Sequence, residues 1–140
     1  MNRDARLLAT AGVILLMVSL INGFLIHLLP HGHQTLAAHL IGLIGAGLLI
    51  ALASLWPNLA QEPRTSRAAA FLGIYGFCAG WFINFIAAIT GHFGLFPIST
   101  SVTPGKGLGD AIISIGLISV ALTLLVLSVL IVRGLLRDRS

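Results

Sequence analysis

The chain has 140 residues, of which 57% are hydrophobic and only 9% charged, and its mean hydropathy is +1.03. About a quarter of the residues in an ordinary soluble domain are charged, so this composition excludes one and identifies an integral membrane protein. The net charge of +4 does not make a nucleic-acid binder, because the basic residues flank apolar stretches instead of forming a patch of their own.

Four continuous apolar stretches, residues 7–29, 36–56, 68–90 and 111–132, are each long enough to cross a hydrocarbon core of about 30 Å, which takes about 20 helical residues. Continuous apolarity, as opposed to strict alternation, excludes a transmembrane β-barrel. The expected fold is all-α: a single domain over residues 1–140, built as a membrane bundle of four transmembrane helices with antiparallel neighbours.

The first stretch lacks a small-residue cleavage site and is long enough to span, so it reads as a helix and not as a signal peptide. Pro30 closes it, and HGHQ follows as a short outer hairpin. Thr35 is placed to cap the second helix. Within that helix Ala38, Gly42 and Ala46 form a ladder of small residues that suits close helix contact, either between subunits or within one. The inner connection WPNLAQEPRTSR is fenced by Pro57 and Pro63 and reads as helix-free. Cys78, the lone cysteine, is a small apolar filler in the third helix. The outer connection HFGLFPISTSVTPGKGLGD, with Pro97 and Pro104, ends at Asp110, whose carboxylate is placed to cap the fourth helix.

Seven of the eight basic residues (Arg3, Arg6, Arg64, Arg67, Arg133, Arg137 and Arg139) fall on one side of this topology, and Lys106 on the other. That asymmetry predicts both termini on the cytoplasmic side of a bacterial-type inner membrane, with lipid headgroups as contacts and no nucleic-acid partner.

Polar side chains in lipid are expensive and usually face a partner, a cavity or a cofactor. Here they are Asn22, His27, His39 and Asn84, with Tyr75 and Trp81 as amphipathic neighbours. His27 reads as reaching the interface, and His31, His33 and His92 as loop residues. The His-x-His pair lacks the Cys or carboxylate neighbours that complete a zinc site. On a helix, Gly42 and Ala46 share a face with His39 and leave a shelf beneath the imidazole. Two readings stay open there: a histidine bonded to a neighbouring helix, or an axial ligand above a flat cofactor such as haem. The four carboxylates, Asp4, Glu62, Asp110 and Asp138, are scattered, which excludes a paired-carboxylate site. GKGLGD follows no strand and is not a phosphate loop.

The runs HLIGLIGAGLLIALASLWP, EPRTSR, LGIYGFCAGWFINFIAAITG and PGKGLGDAIISIGLIS, between residues 36 and 134, resemble hydroxylaminobenzene mutase. They are similar, more distantly, to styrene oxide isomerase. The resemblance implies a haem-b-dependent intramolecular isomerase acting on a small aromatic substrate. Its haem would lie between the subunits of a homo-oligomer, a trimer, with iron held by His39. It implies further that Gly42, Gly45 and Ala46 shape the haem site, and that Asn84, Trp81 and Tyr75 line the catalytic pocket. Aryl hydroxylamine to 2-aminophenol is the expected reaction; the alternatives are aryl epoxide to aldehyde, or haem binding without catalysis. Two departures stand out. Both families carry Asn followed by Gly at the positions of Gly45 and Ala46, and the epoxide isomerases carry Tyr at the position of Ala87.

Overall fold

A computed structural model describes residues 2–94 and 107–137. Four long helices account for most of it: α1 (Arg3–Phe24), α2 (Gly32–Leu55), α3 (Pro63–Thr90) and α4 (Leu108–Leu136), with one 3-10 turn at Trp56–Asn58 and no strand among the described residues. Each helix is long and apolar enough to cross a membrane, as the hydropathy pattern predicts. Residues 95–106 of the outer connection, with Pro97 and Pro104, lie outside the described residues.

The helix boundaries differ from the expectation for identifiable reasons. α1 opens on Asn2, whose side chain accepts the N–H of Ala5 at 2.8 Å, an N-cap that hydropathy cannot register. It closes at Phe24, five residues early. Residues 25–29 form turns in which the N–H groups of both Leu28 and Leu29 reach the carbonyl of Leu25. These residues are apolar without being helical, and Pro30 bars helical continuation from the residue before it. His27 is therefore exposed in a turn outside the helix.

α2 begins four residues early, at Gly32, so Thr35 sits inside the first turn and is not the cap. Its hydroxyl donates to the carbonyl of His31 at 3.0 Å. α3 begins at Pro63, which occupies the first helical position, where its missing N–H costs nothing. The proline expected to fence a loop instead starts a helix, and Arg64 and Arg67 lie on it. α3 stops at Thr90 because Gly91 adopts φ 74°, a left-handed conformation that glycine enters without a Cβ penalty. The cap of α4 is Gly107, and Asp110 lies inside the first turn. Its Oδ2 still accepts the Gly107 N–H at 3.3 Å, while Oδ1 accepts those of Phe93 and Gly94 at 3.1 and 3.2 Å. One carboxylate thus ties the start of α4 to the end of α3.

α1, α2 and α3 pack on one another, and α4 packs along α3. Only 6% of the most apolar window of α4 is buried, which leaves that helix with a wide apolar surface for lipid or another subunit. Leu8, Leu15, Ala46, Leu49, Ala53, Trp56 and Leu127 form the core. Apolar burial by itself does not drive helices together in lipid, so close van der Waals contact must. The Ala38–Gly42–Ala46 ladder supplies it within the chain. A Cβ at Gly12 of α1 would lie 3.1 Å from the Ala46 carbonyl, and Ser19 rests against Gly42. At the basic end Trp56 Nε1 donates to Ser66 Oγ at 3.0 Å, and Ser66 donates to Asp4 at 2.7 Å.

Candidate active site

α1, α2 and α3 bring a group of polar side chains together in the half of the bundle away from the arginine-rich end. His39 is half-buried on α2, and its Nδ1 lies 2.7 Å from the carbonyl oxygen of Ser19 on α1. A carbonyl only accepts, so the neutral ring must carry its proton on Nδ1. Nε2 is left with its lone pair and has no hydrogen-bond partner among the described residues. This is the arrangement found at metal-ligating histidines, where the second ring nitrogen donates to a carbonyl or carboxylate and fixes both tautomer and orientation. The two open readings of His39 therefore coexist: the ring is bonded to a neighbouring helix and still presents a ligand nitrogen. The donor type and the free Nε2 fit an iron-porphyrin axial ligand.

The shelf beneath the imidazole is filled from within the chain. A Cβ on Gly42 would collide with the Ser19 hydroxyl and come within 2.6 Å of Trp81 Cδ1. Gly45 faces Phe77 and Leu15, at 3.1 to 3.3 Å from where its Cβ would be, and Ala46 is fully buried. The expected open surface at Gly42, Gly45 and Ala46 is a helix-packing seam within one subunit. The same contacts explain the departure at Gly45: Phe77 and Leu15 occupy the space an asparagine side chain would need. Ala87 is likewise buried, at 1% exposure.

Asn84 is buried, and its amide is engaged at both ends. Oδ1 accepts from Gln34 Nε2 at 3.1 Å, and Nδ2 donates to the Gly80 carbonyl at 2.8 Å. It is a bridge between α2 and α3, with one of its two N–H donors already given to the Gly80 carbonyl. Tyr75 points elsewhere, its hydroxyl meeting Ser119 Oγ of α4 at 2.8 Å on the exposed flank of the bundle. Trp81 does join the His39 group. Its ring stacks on Phe85 at 5.4 Å and 9°, and its Nε1 is buried without a partner. Ser19 Oγ and Asn22 Oδ1 are also buried and unpaired, while the Asn22 Nδ2 donates to the Thr35 carbonyl at 3.4 Å.

Sequence reasoning overlooked Ser19, Gly23 and Gln34. Ser19 and Gly23 share one face of α1 with Gly12, at i, i+7 and i+11, a small-residue face that mirrors the α2 ladder. Gln34 was hidden by being counted with the loop. The remaining histidines stay apart: His31 meets the Phe93 ring edge-on at 5.1 Å, His33 is exposed, and His92 lies 3.5 Å from Asp110. No group of three or more metal-ligating side chains occurs among the described residues.

The chain is 31% identical over 132 residues to hydroxylaminobenzene mutase HabB of Ectopseudomonas oleovorans, which covers 94% of this chain and 80% of that protein. No solved structure matches it. The model of the styrene oxide isomerase family matches residues 4–136, so the likeness read from residues 36–134 extends through α1, whose Ser19 carbonyl meets His39 of α2. The chain belongs to the styrene oxide isomerase family and is a multi-pass membrane protein with intramolecular isomerase activity.

Proposed function

We propose that the protein is a haem-b-dependent isomerase converting an aryl hydroxylamine into a 2-aminophenol, with His39 as the iron ligand. The observation that carries this reading is the 2.7 Å bond between His39 Nδ1 and the Ser19 carbonyl, which leaves Nε2 a free ligand nitrogen. When bound, ferric haem supplies a Lewis acid that draws electron density from a substrate oxygen and so weakens an N–O or C–O bond. The reaction itself is balanced without a co-reactant. Oxygen leaves nitrogen for the ortho carbon, and that carbon's proton is returned to the heteroatoms.

The chain's own residues supply position and dryness. The stacked Trp81–Phe85 pair offers an aromatic face for an aryl ring. Trp81 Nε1, Ser19 Oγ and Asn22 Oδ1 are the polar atoms left to bond a substrate heteroatom. The apolar surround withholds bulk water from an electrophilic ring. α1 and α3 cover Gly42, Gly45 and Ala46, so in this reading the outer flank of α2, with the exposed Leu36, Leu40 and Ile44, is the face that would receive a porphyrin. A second subunit would close that flank, and this reading adopts the homo-oligomer, a trimer with haem at its interfaces, that the family resemblance implies. The arginine-rich end is cytoplasmic in this reading, and the membrane is a bacterial-type inner membrane.

The family model favours a second substrate class, aryl epoxides opening to aldehydes. The test is turnover by protein expressed with haem and purified in detergent, offered phenylhydroxylamine and styrene oxide separately. 2-Aminophenol as the sole product supports the leading reading, phenylacetaldehyde transfers it to the second, and inertness toward both refutes either.

A further inference from the structure

The last turn of α1 contains a glycine that helix propensity does not explain: at Gly23 alanine would form a better helix. A Cβ there would fall 2.8 Å from Cε1, 3.0 Å from Nδ1 and 3.4 Å from Nε2 of His39, so the imidazole lies edge-on against bare backbone. One turn earlier on the same helix, the Ser19 carbonyl takes the Nδ1 proton at 2.7 Å. The two contacts are coupled in space: the ring reaches the carbonyl only by lying over Gly23.

We propose that Gly23, together with the Ser19 backbone carbonyl, is a positioning socket that locks His39 in the Nδ1–H tautomer and aims Nε2 as a ligand. Free histidine favours the opposite, Nε2–H, tautomer, in which the ligand nitrogen is blocked by its own proton. The socket reverses that preference. Any side chain at position 23 would push the ring off α1, and because the atoms in the way are the mobile end of a side chain, the ring moves and the helices do not. Ser19 acts through its main chain, so its hydroxyl is dispensable to the socket.

The inference deepens the reading of His39 as an iron ligand, and its test is independent of that reading. Nitrogen-15 NMR of the cofactor-free protein in detergent reports the tautomer directly, with the His39 signal assigned by its loss in His39→Gln. The wild type and Ser19→Ala are expected to show Nδ1 protonated and Nε2 bare. Gly23→Ala is expected to revert toward Nε2–H and to bind added ferric haem about 10- to 100-fold more weakly, the usual effect of losing a ligand's supporting hydrogen bond. A wild-type ring protonated on Nε2, or a Gly23→Ala ring unchanged in tautomer, overturns the socket. Should the tautomers behave as expected while no variant binds haem, the socket stands and the haem reading falls.

Discussion

Replacing Gly42 by alanine separates an intramolecular packing seam from an open cofactor shelf. The added Cβ would sit on the Ser19 hydroxyl, with Ser19 Cβ at 2.9 Å and Trp81 Cδ1 at 2.6 Å. Carbon atoms prefer about 3.5 to 4.0 Å, so α1 and α3 must each retreat by roughly 1 Å from α2 at this level. Overpacking of this kind costs about 1 to 3 kcal/mol, a factor of about 5 to 150 in the unfolding equilibrium at about 1.4 kcal/mol per decade. The better helix propensity of alanine returns less than about 1 kcal/mol. The measurement is reversible unfolding of the cofactor-free protein from mixed micelles into denaturing detergent. Ser19→Ala removes the nearest colliding atom, so the double variant should recover part of the loss, with a coupling of about 0.5 to 3 kcal/mol. A Gly42→Ala protein as stable as wild type without cofactor, yet impaired in haem binding, would refute the seam and restore the shelf.

Other outcomes follow from the same geometry. Asn84→Leu should destabilise the protein by about 1 to 3 kcal/mol, because Gln34 Nε2 loses its acceptor inside the bundle. Gln34→Leu combined with Asn84→Leu should recover most of that loss in the same unfolding assay. Trp81→Phe removes a buried, unpartnered donor. Stability should hold or rise, while kcat/KM for the aryl substrate falls about 3- to 13-fold, the worth of one hydrogen bond of about 0.7 to 1.5 kcal/mol. For the orientation, single cysteines placed at position 2 and position 64 in a Cys78→Ala background should resist an impermeant thiol reagent in intact cells and react after permeabilisation. Labelling of intact cells would reverse the assigned topology.

The four spans were legible because apolar content alone decides them. Their ends were not, because capping by Asn2, the first-position proline at Pro63 and the non-helical but apolar turn at residues 25–29 are hydrogen-bond facts to which hydropathy is blind. His39 stood out as an ionisable side chain in lipid. What holds it did not, since its partners are a backbone carbonyl and an absent Cβ twenty and sixteen residues away in sequence. The small-residue ladder was visible, but one helix viewed alone does not say which neighbour it meets. The matching face on α1, Gly12, Ser19 and Gly23, shows that the neighbour is internal. Asn84 and Tyr75 stand out as polar residues in a span, and both bond partners, Gln34 and Ser119, that spacing along one helix cannot reveal.

The central claim, that His39 Nε2 is the axial ligand of a haem, meets its most direct measurement in the absorption spectrum of the detergent-purified protein expressed with ample haem. The account predicts a Soret band near one haem per subunit in the wild type, and its loss in His39→Ala with the helical content unchanged. A wild-type protein without a Soret band, or a band of equal height and position in His39→Ala, would contradict it.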